Sequence, residues 1–322
     1  MLNIFINANK EEFAMGFIAL IVFIIVQILF IPLAIIGGIL TTFKQLVVSK
    51  RLGVSGTAIS AIAQRWLMNF YGMRKDPATA KLYRALPNAS EIGLWLVLFP
   101  GFLQYKIHPS FPEEGKESLT NAVQARTFYI DKLINESKDK VEQFVVMGAG
   151  YDTRCYGDLK QNNLNFFELD QEKTQKLKMK CLKKAGIDAS HVTFVEVDFS
   201  TEKWYEKLEK AGFNPGKRSL FLWEGVTLYL SEEDTRKTIK EIKAHTASGS
   251  ILIADFCSKR LTALQGVKAT NEDFNFGLDF SVNPEKVLKT FIESEKVNLG
   301  DYYFIGHKTK KGAVMAVAEV IL

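Results

Sequence analysis

The stretch Phe144-Val145-Val146-Met147-Gly148-Ala149-Gly150-Tyr151-Asp152-Thr153-Arg154 decides the fold. A short apolar run that stops at glycine reads as a strand buried on both faces of a parallel sheet, here 143–147. The glycines that follow let the backbone approach a ligand closely. The third glycine of a dinucleotide fingerprint is missing, because Thr153 stands in its place, and this disfavours a pyrophosphate ligand. A Gly-rich turn with Asp152 beside it instead suits a ligand that carries an ammonium group.

Downstream of this turn, helices and strands alternate. Further strands are expected at 165–169, 192–197, 219–223, 250–254, 302–306 and 313–321, and helices at 118–137, 171–185, 231–245 and 284–295. Ser231 followed by Glu233 and Asp234 marks a helix start. Gly186 marks a helix end, and Pro284 sits where a first turn tolerates it. The alternation predicts an α/β, Rossmann-like domain over 118–322 with a mostly parallel seven-stranded sheet. In open sheets of this kind ligands bind beyond the carboxyl ends of the strands.

Three more of those ends carry chemistry. Asp170 closes Glu168-Leu169-Asp170, about 20 residues after the glycine turn, where an acid can accept hydrogen bonds from ribose hydroxyls. Asp198 follows the next strand and can take an adenine amino group, with Phe199 packed on the ring. Glu224 ends the strand in Leu222-Trp223-Glu224-Gly225, and a carboxyl in that buried place needs a partner, or its pKa must rise. Together they predict an adenosine-bearing cofactor, a moiety that nicotinamide cofactors and S-adenosylmethionine share.

The other end of the chain has a different character. No charged residue occurs from Phe13 to Phe43, and about 20 apolar residues suffice to cross a bilayer core. Residues 1–50 are therefore expected to form a membrane anchor built on segment 13–43. Lys44, Lys50 and Arg51 follow it, which places the catalytic part in the cytoplasm and the N-terminus outside. Residues 51–117 are expected to be a helical linker or cap. They contain a second apolar patch, 92–102, too short to span and suited to an interfacial segment. The net charge of +5 is mild and scattered, which argues against a nucleic-acid binder. The three cysteines show no metal-ligand spacing, so no metal is expected.

The segments FVVMGAGYDTR, FFELDQEKTQKLK and WEGVTLYLSEEDT resemble the leucine carboxyl methyltransferase family and its bacterial O-methyltransferase relatives over roughly residues 100–322. The resemblance implies a class I methyltransferase fold with S-adenosylmethionine as cofactor. It implies that Arg126 holds the cofactor carboxylate and that Gly148 is the strand-one glycine. It also implies that Asp170 binds ribose, that Asp198 and Phe199 flank adenine, and that Glu224 lies near the methionyl end. The residue reading adds Gly150 and Asp152 to this cofactor set. The apolar N-terminal segment departs from the family pattern.

A carboxylate acceptor is ionised near neutral pH and needs no base, whereas a hydroxyl needs one. The base candidates are His108, His245, His307, Tyr229 and Glu224, with His108 favoured because it precedes Pro109 on the way into the catalytic domain. The Phe-rich connection 271–281 is expected to line an apolar pocket with Phe274, Phe276 and Phe280. These features predict O-methylation of a small apolar or lipid-like substrate. Two other readings use the same residues: a membrane-tethered NAD(P)-dependent oxidoreductase, and a membrane protein that binds cofactor without turnover. The first is disfavoured by Thr153 and by the lack of a suitably placed Tyr-x-x-x-Lys pair, Tyr156 and Lys160 lying directly behind the glycine loop.

Overall fold

The computed structural model describes residues 2–161, 163–199, 201–263 and 273–322. Seven strands form one sheet: β1 (Gln143–Met147), β2 (Asn165–Asp170), β3 (Val192–Glu196), β4 (Ser219–Trp223), β5 (Ile251–Cys257), β6 (Asn298–Ile305) and β7 (Met315–Ile321). Their order across the sheet is β3-β2-β1-β4-β5-β7-β6. The first five run parallel, and β7 lies antiparallel to both β5 and β6. The sheet is thus mixed. The reversal follows from connectivity, because the short turn that joins β6 to β7 returns the chain beside itself, whereas parallel neighbours need a crossover.

Strands β1 and β4 are buried at every position, as expected of strands covered on both faces. Their side chains alternate between two cores. Val145, Met147, Phe221, Trp223, Leu252 and Ala254 pack on one face of the sheet. Phe144, Val146, Leu220, Leu222, Ile251 and Ile253 pack on the other. This period of two means that each strand end points adjacent residues to opposite sides. Asp255 continues β5 on the second face and is fully buried there.

The helices that cover the sheet are α6 (Ala122–Ser137), α7 (Glu172–Lys184), α8 (Trp204–Lys210), α9 (Glu232–Ala244), α10 (Lys259–Thr262) and α11 (Pro284–Glu293). Helix α8 has no counterpart in the sequence reading. Ahead of them stand α1 (Leu2–Thr42), a π-helical turn (Phe43–Val48), α2 (Ser49–Leu52), α3 (Gly56–Tyr71), α4 (Pro77–Ala85) and α5 (Glu91–Ile107). Helices α3 and α4 form a cap with its own core of Ile59, Ile62, Trp66, Leu82 and Tyr83. Ser55 caps α3 by accepting from Ala58 N at 3.0 Å, and Asp76 caps α4 by accepting from Thr79 N at 2.9 Å.

The second apolar patch is longer than its hydropathy suggested. Helix α5 extends past it at both ends and packs between α1 and α3. The contact with α1 is closest at a pair of glycines, where a Cβ on Gly37 would meet Gly93 O at 2.4 Å. Small residues of this kind let two apolar helices approach at backbone distance. Helix Ala14–Leu52 is long and apolar enough to cross a membrane by length and composition.

Candidate functional site

The site forms where β1, β2, β3, β4 and β5 end. After β1 the backbone turns through Gly148 at φ +67° and Gly150 at φ +46°. Side chains other than glycine rarely adopt such angles. A Cβ on Gly148 would also come within 2.6 Å of Val226 Cγ2, so glycine is required there twice over. The turn is locked onto β2, since Gly150 N donates to Asp170 Oδ2 at 2.5 Å and Ala149 N to Leu169 O at 2.9 Å. Burial pushes the Asp170 carboxyl up, while the Gly150 and Gln171 amides favour its charge. Asp198 and Phe199 follow β3 on the same side, with Val197 N bonded to Asp170 O at 2.9 Å and Phe199 packed against the core.

Glu168, two residues before Asp170, shares its face of β2 but lies farther from the strand's carboxyl end. It is buried in an ion pair with Lys178 at 2.6 Å and accepts from the Tyr156 hydroxyl at 2.9 Å. Tyr156 is therefore part of a buried structural network with Glu168 and Lys178.

Between the glycine turn and β4 lies a dense charge cluster. Arg126, from α6, places Nη1 at 3.0 Å from Asp255 Oδ2 and Nε at 3.0 Å from Glu224 Oε1. Arg154 reaches Asp152 at 2.5 Å, Glu224 at 2.6 Å and Asp131 at 2.7 Å. Arg65, from α3 of the cap, reaches Asp152 at 2.8 Å and Glu224 at 2.6 Å. Arg74 joins Asp131 and Asp76 at the margin. Four arginines therefore face five carboxylates, an excess of one negative charge when all are ionised. Burial works against the charge of Glu224, but Arg65, Arg154 and Arg126 overcome it and hold the carboxyl at about 2. Asp152 is held well below its usual range, Arg154 and Arg65 outweighing its burial. Asp255 goes the other way, raised because burial exceeds the effect of Arg126.

The cluster is not saturated. Arg65 Nε, Arg154 Nη2 and Glu224 Oε1 are buried without a directed hydrogen bond. Arg126 Nε lies near Glu224 Oε1, yet its N–H does not point along the contact. Buried donors and acceptors in this state are costly unless a ligand completes them. The amino-acid end of S-adenosylmethionine offers a carboxylate for the free guanidinium donors and an ammonium for the acids. The site residues fit that group.

Several candidates lie elsewhere. His108 caps the far end of α5, where its ring faces Gly16 of α1. His245 stacks on Tyr205 at 3.8 Å, and His307 packs over Gly115 at the β6–β7 turn. None of these histidines meets the charge cluster, so none is a base for it. Glu224 is a poor base for a different reason: its ionised form is the one its three arginines stabilise. The Tyr229 hydroxyl donates to Thr57 of the cap at 2.7 Å. Of the three pocket phenylalanines, Phe274 lies beside Tyr229, 5.6 Å between ring centroids. Phe276 and Phe280 are instead core residues, buried against Phe291 and Phe304. The connection folds back under β5, with Leu278 N donating to Cys257 O, and this turns those rings inward. Asn271 and Glu272 lie outside the described residues.

The sequence reading missed Arg65 and Asp255 and gave Arg154 no role. Arg65 carried a signal: it falls on the same helical face as Ile62 and Trp66, where a charge needs a buried partner. Asp255 stood one residue beyond the assigned strand end.

Residues 88–243 match the family profile described as leucine carboxyl methyltransferase. A Bacillus subtilis protein named "Putative S-adenosyl-L-methionine-dependent methyltransferase YktD" is 32% identical, over 53% of this chain and 57% of its own. A Mycobacteroides abscessus relative with the same functional name is 27% identical, over 62% of this chain and 65% of its own. The chain thus spans about 57–65% of the length of these relatives. Among solved structures, a duf574 family protein from Streptomyces avermitilis aligns with a TM-score of 0.48 and 11% identity, covering 63% of this chain and 84% of that one. Residues 88–243, which carry Arg126, the glycine turn, Asp170, Asp198 and Glu224, thus match the leucine carboxyl methyltransferase family model, and S-adenosylmethionine is the cofactor that the names of both relatives print.

Proposed function

We propose that the chain is an S-adenosylmethionine-dependent methyltransferase that methylates an oxygen of a small apolar or lipid-like acceptor. The observation that carries this reading is the unsaturated charge cluster beside the Gly148 turn. When bound, the cofactor supplies an electrophilic methyl group on a sulfonium. The protein's part is to hold and to exclude water. Arg126 and Arg154 are the holders of a carboxylate, Asp152 and Glu224 those of an ammonium, and Asp170 that of the ribose hydroxyls. Asp198 and Phe199 flank the adenine. The cap covers these groups through Arg65 and through the Thr153 hydroxyl, which bonds Asp76 at 3.0 Å and Thr79 at 2.6 Å.

A carboxylate acceptor is favoured over a hydroxyl. Glu224 is pinned in its ionised form, Tyr229 is hydrogen-bonded to the cap, and the histidines discussed above stand away from the cluster. An acceptor that already carries its charge needs none of them. The apolar α1 supports attachment to a membrane, with the catalytic domain on the cytoplasmic side.

The test is to incubate the purified full chain with methyl-labelled S-adenosylmethionine and either a membrane lipid extract or long-chain fatty acids. Label should enter the organic phase and be released by mild alkali, as a methyl ester is. Cofactor binding by calorimetry without any transfer to the organic phase would refute the acceptor class.

A further inference from the structure

We infer that the α1–α5 pair lies in the plane of one leaflet of an anionic phospholipid bilayer, with both of its ends on the side of the catalytic domain. This rests on the membrane attachment proposed above and goes beyond it, because it replaces the crossing suggested by hydropathy with a monotopic arrangement.

The two helices run antiparallel in continuous contact. Gly37 meets Gly93, Phe30 stacks on Phe99 at 4.9 Å, and Gly16 faces His108. From Gly93 to His108 the pair covers roughly 22 Å. At one end the chain is fastened to the catalytic domain and cap. Lys44 Nζ donates to Ala89 O at 2.9 Å, Asn88 Nδ2 to Ser49 Oγ at 2.9 Å, and Gly53 abuts Lys173 of α7. At the other end the domain is reached again almost at once. Phe111 packs on Phe128 of α6 with centroids 5.2 Å apart, and Gly115 O accepts from Lys308 N at 2.7 Å. Phe111 follows His108 by three positions, a reach of at most about 10 Å.

A crossing helix cannot satisfy both fastenings. If α1 traversed a hydrocarbon core of about 30 Å, its partner α5 would carry His108 most of the way to the far side, and α6 would have to follow. The apolar run of α1 starts at Phe13, directly after Lys10, Glu11 and Glu12 and only three positions ahead of Gly16, where α5 ends. The apolar stretch of α1 beyond the end of α5 is thus too short for a span.

What α1 does present is a broad apolar surface. Phe17, Ile21, Ile28, Leu29, Ile35 and Ile39 are exposed, Leu29 to 71%. The face towards α5 carries Gly16, Ala19, Phe30 and Gly37. Outward from the site the layers are therefore α3 with Arg65, then α5, then α1. An apolar helix lying at the headgroup boundary sinks about 5–10 Å, which matches one helix layer. Lys50 and Arg51 at one end and Lys106 at the other are exposed beside this surface, where anionic headgroups would meet them.

The three native cysteines are buried, so single cysteines can report topology. The full chain carrying Asn7→Cys, or separately Lys10→Cys, is compared with Lys50→Cys in sealed inside-out vesicles and in right-side-out spheroplasts, using a membrane-impermeant maleimide. All three positions should label in inside-out vesicles before detergent and none in spheroplasts. Labelling at 7 or 10 in spheroplasts, with 50 labelled only in inside-out vesicles, would overturn the in-plane arrangement. Recovery of the wild-type chain in the supernatant of sedimented vesicles would instead remove the membrane reading itself.

Discussion

Replacing Arg65 by methionine keeps the unbranched stem of the side chain and removes the guanidinium, and with it the cap's charge, from the buried cluster. Two charge-assisted contacts are lost, to Asp152 at 2.8 Å and to Glu224 at 2.6 Å. Breaking a buried ion pair costs about 3–5 kcal/mol when a charge is left without a partner. Here neither acid is abandoned, since Asp152 keeps Arg154, and Glu224 keeps Arg154 and Arg126. The loss should therefore fall below that range, at about 2–3 kcal/mol. For a chain of this size that lowers Tm by about 4–12 °C. If the loss acts on opening of the cap, amides of α3 should exchange about 30–150-fold faster, while those of β1 and β4 change little. Hydrogen exchange followed by mass spectrometry, with Arg65→Lys as the variant that restores charge but not the two-pronged geometry, resolves this. Unchanged α3 exchange in Arg65→Met would refute the view that the cluster fastens the cap.

Asp170→Asn should weaken S-adenosylmethionine binding by about 10–100-fold in calorimetry, the cost of replacing a charged acceptor by a neutral amide, and an unchanged Kd would remove Asp170 from the ribose site. Gly148→Ala should destabilise the fold by about 1–3 kcal/mol in chemical denaturation from its positive φ alone, and Val226→Ala in the same chain should recover the part due to the clash with Val226 Cγ2; a neutral Gly148→Ala would contradict the turn described. Glu224 has its folded pKa lowered from 4.5 to about 2, so it contributes stability above pH of about 4.5 that is lost as pH falls towards about 2. The stability difference between wild type and Glu224→Gln should accordingly shrink across that window in pH-dependent thermal melts, and a difference independent of pH would show that the arginines do not hold its charge.

Much of the catalytic domain is legible along the chain because its signals are local. The runs at 143–147 and 219–223 are strands to the residue, since a strand buried on both faces reads as a near-continuous apolar run; their polar first residues, Gln143 and Ser219, are buried and bond each other at 2.8 Å. Ser231, Gly186 and Pro284 marked helix limits through backbone chemistry that acts within one turn. Strand β6 was cut short, because its first residues, Asn298–Asp301, lie at the sheet edge, where polar side chains meet water at no cost. Gly148, Asp170, Asp198 and Glu224 could be grouped because a parallel sheet brings successive carboxyl ends to one side.

By itself the sequence determined the α/β domain, the glycine turn, the acid after each of the first parallel strands and the apolar character of the first helix. These follow from periodicity and from the conformational limits of single residues. The tertiary structure decided which charges meet. Arg65 and Asp152 are 87 positions apart, and Arg126 and Asp255 are 129 apart; no local rule pairs them. It also separated Phe274 from Phe276 and Phe280, which share a segment but face opposite ways. Finally, it laid α1 along α5 and fastened both ends of that pair to one domain. Hydropathy measures only how apolar a helix is, whereas its direction relative to a membrane depends on where its neighbours are anchored.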